Sequence, residues 1–350
     1  MTTSTRHVTN ACISGTGFYV PPRVVTNDDL IKTYGIETSD AWIQQRTGIE
    51  ARRYAEAGIG SAELGEHAAR AALAQAGLEP VDLDLIVFAT LSPEFAFPGS
   101  GVILQDRLGL NSGANAKHVP ALDVRNQCSG FLYSLATANA MVRSGACKHV
   151  LVVGAETHSA ALDLSTRGRT VSSLFGDGAG AVIVSATDDD KGIRGVHLGA
   201  DGSQAETLCQ RVWDIRERPF IPLDDEGYGR VSPEFMYAHM DGRMVFKHAV
   251  AKMSGALKTA CEAADATLDD VDLFFFHQAN LRINQYVAEL LKLPADKVPH
   301  NIERYGNTTA ATLPILLAET VAEGRLKPGM KIAMVAFGSG FTWGSALIDW

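Results

Sequence analysis

The chain has 350 residues, 46% hydrophobic and 20% charged, a globular profile long enough for one large domain or two fused halves. Its formal net charge of −9 excludes general nucleic-acid binding, so an acidic partner would need a local basic patch. Five widely spaced cysteines (Cys12, Cys128, Cys147, Cys209, Cys261) with no CxxC pair argue against a disulfide framework or a zinc site and suit a reducing cytoplasm. The first residues lack the apolar core of a signal peptide, and no apolar run is long enough to span a membrane.

In chain order, Gly15-Thr16-Gly17 lacks the third glycine of a dinucleotide fingerprint and reads as a tight backbone turn. A helix-like stretch from Ala68 to Gly77 leads into an apolar strand from Asp82 to Phe88, and a further strand runs from Val119 to Val124. Cys128 follows, in Asn126-Gln127-Cys128-Ser129-Gly130-Phe131, and Phe131 to Val142 reads as a helix. A cysteine at such a junction faces the positive end of the helix dipole, which is expected to lower its pKa and favour the nucleophilic thiolate. The plainer reading is a small buried hydrophobe. After a strand from His149 to Val153, Phe175-Gly176-Asp177-Gly178-Ala179-Gly180 forms a glycine-rich turn without the end of a phosphate loop. Asp177 within it reads as a turn residue rather than a base. The polar, aromatic, Pro-containing stretch from about 203 to 240 is a candidate loop over a site or a dimer element.

The second half repeats the pattern. A helix from Ala256 to Ala264 leads into a strand from Asp269 to Phe276, and His277 ends that run at the carboxyl end of the strand. Histidine there is either a proton handler or a satisfied core or capping group. Gly306-Asn307-Thr308-Thr309 opens the next helix, where Asn307 reads as an ordinary N-cap or as an amide donor aimed at an oxyanion. The strand from Lys331 to Val335 precedes Phe337-Gly338-Ser339-Gly340-Phe341, a turn able to point a backbone N–H into a site.

Alternating short apolar strands and amphipathic helices indicate an α/β architecture, with strands buried on both faces. The faint repeat divides the chain into similar halves, 1–185 and 186–350, packed as one unit. Cys128, His277 and Asn307 then fall at equivalent strand ends, where α/β sites form. A thiol, an imidazole and an amide are the components of thioester chemistry, a nucleophile with two donors.

These residues sit in ordered motifs across nearly the whole chain. They include Trp42 with Arg46-Thr47-Gly48, Ala96-Phe97-Pro98, the Cys128 motif, the Gly176 turn, Val245-Phe246-Lys247, His277-Gln278-Ala279-Asn280-Leu281-Arg282, Gly306-Asn307-Thr308 and Phe337 to Gly344. The chain resembles the β-ketoacyl-acyl-carrier-protein synthase III family of the thiolase-like superfamily. The resemblance implies a five-layered αβαβα fold of two duplicated halves, a homodimer, and a catalytic triad of Cys128, His277 and Asn307. It implies an oxyanion hole of the Cys128 and Ser339 backbone N–H groups, and coenzyme A contacts from Trp42, Arg46 and Arg169, with Arg167 as the local alternative. Phe97 would reach the partner's acyl pocket, and Arg282 would belong to the patch that docks acyl carrier protein. No cofactor or metal is implied beyond the substrates, an acyl-CoA and malonyl-acyl-carrier protein. Two departures stand out: Ser339 replaces an expected glycine, and Gln285 to Leu291 lacks the lysines of carrier-docking relatives.

The implied reaction is decarboxylative Claisen condensation through an acyl-Cys128 intermediate. His277 and Asn307 donate to the malonyl thioester carbonyl, and the product is β-ketoacyl-acyl-carrier protein for fatty acid biosynthesis. Alternatives are an acyltransferase of the same fold, or a ketosynthase of secondary metabolism using a longer acyl-CoA. A papain-like cysteine hydrolase shares the order Cys, His, Asn, but its local signature is absent around Cys128. A non-catalytic dimer subunit would be expected to lose Cys128 or His277, and both are present.

Overall fold

The computed structural model describes residues 10–113, 116–212, 214, 216 and 232–350. Residues 213, 215 and 217–231 of the candidate loop at 203–240 lie outside the described residues. The strands of the first part are β1 (Asn10–Tyr19), β2 (Val24–Thr26), β3 (Ala51–Arg53), β4 (Leu85–Ala89), β5 (Ala121–Val124), β6 (His149–Glu156) and β7 (Gly178–Thr187). Its helices are α1 (Asn27–Tyr34), α2 (Asp40–Thr47), α3 (Ser61–Ala76), α4 (Ser100–Arg107), α5 (Gly130–Arg143) and α6 (Arg169–Ser172). There follow β8 (Gly192–Ala200), β9 (Leu208–Cys209), β10 (His239–Met240), β11 (Leu273–Phe276), β12 (Lys331–Gly338) and β13 (Thr342–Asp349). The later helices are α7 (Pro233–Met236), α8 (Gly242–Glu262), α9 (Leu281–Leu290), α10 (Ile302–Tyr305) and α11 (Thr312–Ala322).

One sheet has the order β1-β7-β6-β4-β5 and the other β11-β12-β13-β8. In the first, β4 runs parallel to β6, β6 antiparallel to β7, and β7 antiparallel to β1. The second repeats that sequence of orientations in β11, β12, β13 and β8. The repetition extends to single residues. Asp84 accepts from Lys148 N at 2.8 Å at the start of one parallel pair, and Asp272 accepts from Lys331 N at 2.8 Å at the start of the other. The acidic residues expected to open these strands instead form 3-10 turns, Pro80–Asp82 and Leu268–Asp270, so the strands begin at Leu85 and Leu273.

Apolar runs in the central strands follow from helices on both faces. Val150 and Val152 of β6 join the core between the sheets, while Leu151 and Val153 join the core under α3. Leu273 and Phe275 of β11 likewise face the central core, and Phe274 and Phe276 the core under α8. Each fully buried phenylalanine contributes roughly 1.5–3 kcal/mol. Helices α5 and α11 lie between the sheets, which gives the αβαβα layering. Every residue from Thr312 to Thr320 of α11 is buried, as a helix between two sheets requires.

Two expectations are corrected. The strand ending at Val124 is not buried on both faces: β5 is the sheet edge, and Leu122 is 45% exposed. Gly15 and Gly17 form no turn but lie within β1, where α3 crosses closely. A Cβ on either would stand 2.3 Å from a carbonyl oxygen of α3, Ala72 O or Ala68 O.

Candidate active site

Cys128 sits in a 3-10 turn, Gln127–Ser129, between β5 and α5. Gln127 holds φ +44°, a left-handed conformation uncommon outside glycine. The turn is tied down on both sides: the Ser129 hydroxyl donates to Asn126 O at 3.0 Å and meets the Thr342 hydroxyl at 2.8 Å. It packs against the end of β12 and against the Thr309–Ala311 turn. At Gly338 a Cβ would stand 2.7 Å from Cys128 Cβ and 3.2 Å from its Sγ. Gly338→Ala is therefore expected to displace the Cys128 sulfur and to slow any acylation of that thiol by about 100-fold, the scale of an ångström of misplacement. A melting curve checks that the variant remains folded.

The sequence leads one to expect a lowered thiol pKa, and the structure reverses it. Burial, with the Glu156 carboxylate second, pushes the Cys128 thiol up to about 12, against a smaller opposing pull from its own backbone N–H. The residue keeps a little accessible surface, but its surroundings are dense enough to desolvate the sulfur. Helix α5 begins only at Gly130. A dipole interaction of roughly 0.3–1 kcal/mol is less than one pKa unit, whereas burial moves groups by several. Glu156 closes β6 fully buried, accepting from Leu91 N, Ser92 N and the Thr90 and Ser92 hydroxyls. Burial pushes its own carboxyl up to about 7 despite those donors.

His277 follows β11, its backbone N–H bonded to Val335 O at 2.9 Å. Its Nδ1 meets the Thr312 hydroxyl at 2.6 Å, while its Nε2 is buried with no hydrogen-bond partner. Burial holds the ring neutral, lowering its pKa to about 3. Asn307 is not the cap of α11, which starts at Thr312. Its backbone is clamped between Leu174 O and Gly176 N, and its Oδ1 accepts from Thr309 N at 2.8 Å. That bond occupies the carbonyl end and leaves the NH2 end as donor. Thr309, at φ +49°, meets His158 Nε2 through its hydroxyl at 2.5 Å. One short segment, 307–312, thus carries Asn307, packs on the Cys128 turn and holds the His277 ring.

The other predicted residues also have places. The Arg46 guanidinium lies 4.2 Å from the Trp42 ring centroid and that of Arg169 5.6 Å, so all three converge. Arg167 instead ion-pairs with Asp163 at 2.7 Å. Arg282, at the start of α9, lines a cavity of about 350 Å³ with Arg46, Phe246, Asn280 and Tyr286. Phe97 is 85% exposed on the loop before α4. The Ser339 hydroxyl donates to Leu208 O of β9. Among the described residues no cluster of three or more His, Cys, Asp or Glu can hold a metal ion.

Comparison with known proteins decides the family. Models described as 3-oxoacyl-acyl-carrier-protein (ACP) synthase III match residues 122–202 and, for the C terminal part, 261–350. The β-ketoacyl-acyl-carrier-protein synthase III of Clostridium perfringens is 41% identical over 339 residues, 97% of this chain and 99% of that protein. The chain belongs to the β-ketoacyl-acyl-carrier-protein synthase III family. The crystal structure of 3-oxoacyl-acyl-carrier-protein synthase III from Aquifex aeolicus VF5 superposes with a TM-score of 0.84 at 40% identity, covering 98% of this chain and 100% of that one. The priming β-ketosynthase of the R1128 polyketide pathway has a TM-score of 0.85 at 33% identity, covering 99% and 98%. The protein is thus a condensing enzyme, an acyltransferase with the thiolase-like fold.

Around this candidate site of a synthase III lie residues that sequence patterns do not single out. Thr312 and Thr309 look like ordinary helix-start residues. Gly338 is visible only as part of a glycine-rich turn, and its contact with Cys128 is long-range. Glu156 had a signal: a lone carboxylate closing the apolar run that starts at His149.

Proposed function

We propose that this enzyme condenses an acyl-CoA primer with malonyl-acyl-carrier protein, with Cys128, His277 and Asn307 as its catalytic residues. The observation that carries this reading is the 307–312 segment, which joins the Cys128 turn, the Asn307 amide and the His277 ring. In the first half-reaction the Cys128 sulfur bonds to the acyl carbon, the bond to coenzyme A breaks, and the thiol proton leaves on coenzyme A. In the second, carbon dioxide leaves the malonyl group. Donors from His277 and Asn307 hold the enolate oxygen, its carbon bonds to the acyl carbon as the bond to sulfur breaks, and the Cys128 sulfur takes up a proton from solvent to become a thiol again. The oxyanion of that step sits on the backbone N–H groups of Cys128 and Ser339. Because the Ser339 hydroxyl is engaged by Leu208 O, its side chain leaves this N–H role open.

Trp42, Arg46 and Arg169 form the coenzyme A nucleotide site. Their stacked cations and aromatic face suit a phosphorylated adenosine. Arg46→Ala is expected to raise the KM for acyl-CoA about tenfold with a smaller effect on kcat, and to weaken its salt dependence; steady-state kinetics at two ionic strengths checks both. Arg282, beside that mouth, serves acyl carrier protein, with Tyr286 adding apolar contact. The exposed β5 edge with Phe95, Phe97 and Leu122 supports a homodimer in which Phe97 reaches the partner's acyl pocket. The halves 1–185 and 186–350 are read as the duplicated units. Among the described residues no helix is long and apolar enough to cross a membrane, and we place the enzyme in the cytoplasm, working without a cofactor or nucleic acid.

The test is direct. Purified enzyme with an acyl-CoA series and malonyl-acyl-carrier protein should yield β-ketoacyl-carrier protein and carbon dioxide in equal amounts. Acyl transfer to a hydroxyl or amine without decarboxylation would replace this reading with the simple acyltransferase. A rate maximum at longer acyl chains would favour the specialised ketosynthase, the reading to which the R1128 relative lends weight.

A further inference from the structure

His277 and Thr312 meet in a way that fixes which ring nitrogen carries the proton. Thr312 opens α11, and its hydroxyl has two partners: His277 Nδ1 at 2.6 Å and Thr309 O at 3.0 Å. A hydroxyl has one proton, so it can donate to only one of them. The Thr309 carbonyl already accepts from the backbone N–H of Thr312. Giving the hydroxyl proton to Nδ1 therefore orphans no carbonyl and uses the shorter contact. The opposite arrangement would place the ring proton on Nδ1 and leave Nε2 with only a lone pair.

We propose that Thr312 is a positioning residue: its hydroxyl donates to His277 Nδ1 and so places the ring proton on Nε2. Nε2 is buried and has no partner among the described residues, so its N–H is unused in the free enzyme. A donor held ready in a desolvated site suits a carbonyl oxygen that gains negative charge, and it excludes His277 as the base for Cys128. The Asn307 amide is treated alike, its oxygen occupied by Thr309 N and its NH2 end left over. A threonine and a backbone N–H, both from the 309–312 segment, thus turn two amphoteric side chains into two donors. Burial, which opposes an imidazolium here, keeps the ring neutral, and the Thr312 hydroxyl then decides between its two tautomers.

The inference rests on the reading of His277 as a condensation residue, and two experiments separate them. In the full-length protein labelled with 15N-histidine, long-range 15N–1H correlation reads the tautomer, the His277 signal being identified by its absence in His277→Gln. The expected result is a protonated Nε2 and a bare Nδ1; a protonated Nδ1 overturns the proposal and leaves the catalytic reading standing. Kinetically, Thr312→Val should lose decarboxylative condensation by about 10- to 100-fold, the scale seen when a ring's outer hydrogen bond is removed, while acyl-Cys128 still forms at its normal rate. Thr312→Ser, which restores the hydroxyl, should recover most of the loss. Equal loss of both half-reactions in Thr312→Val, or no recovery in Thr312→Ser, would show packing rather than tautomer control. Full condensation by His277→Ala, which has no side-chain donor, would instead sink the catalytic reading, whatever the spectrum shows.

Discussion

Cys128→Ala is expected to form no covalent adduct with acyl-CoA and to lose condensation on the order of 10⁶-fold, the scale reached when a covalent catalyst loses its nucleophile. Intact-mass spectrometry of the wild-type enzyme should show one acyl group per chain; an adduct that persists in Cys128→Ala would place the chemistry elsewhere. The raised thiol pKa sharpens this. With the thiol pushed up to about 12, the thiolate at neutral pH is on the order of 10⁻⁵ of the enzyme. Alkylation of the free enzyme by iodoacetamide should therefore be slow and should climb about tenfold per pH unit from neutral pH to pH 10, without a plateau. A plateau below pH 8 would mean that the thiol is activated before substrate arrives. Burial favours the thiol over the thiolate, so the sulfur's charge is stabilised only as the substrate carbonyl takes it up and the enzyme's backbone N–H donors hold the resulting oxyanion.

Much of this was legible in the sequence. Strand ends and turn residues are local features, so Cys128, His277 and Asn307 stand out by position, and the structure brings their segments together. The repeat was legible too, and the paired Asp84 and Asp272 clamps explain why: the same aspartate opens the same parallel strand pair twice. The thiol pKa was misjudged because local sequence shows the start of a helix but not the density around it. Gly15 and Gly17 were misjudged for the same reason: a glycine forced by a crossing helix looks like a glycine required by a turn. Thr312 was invisible, since its importance lies in a contact with a residue 35 positions earlier. What could not be read was long-range: burial, close approach and the direction of a hydroxyl.

His277→Ala is expected to divide the reaction in two. Acylation should persist, because a ring that burial keeps neutral and that carries its proton on Nε2 is no base for Cys128. The thiol's proton ends on coenzyme A, whose sulfur departs from the carbon that Cys128 attacks. Condensation should fall by about 10²–10³-fold, the cost of removing one donor from a developing oxyanion, equivalent to ~3–4 kcal/mol. Rapid-quench measurement of acyl-enzyme formation, beside release of labelled carbon dioxide from malonyl-acyl-carrier protein, reads the two steps separately. Equal loss in both would make His277 the general base and remove the division of labour. A milder fall in His277→Gln than in His277→Ala would point the other way. A carboxamide can donate to the enolate oxygen but is too weak a base to take a proton from a buried thiol, so retained activity there belongs to the donor role alone.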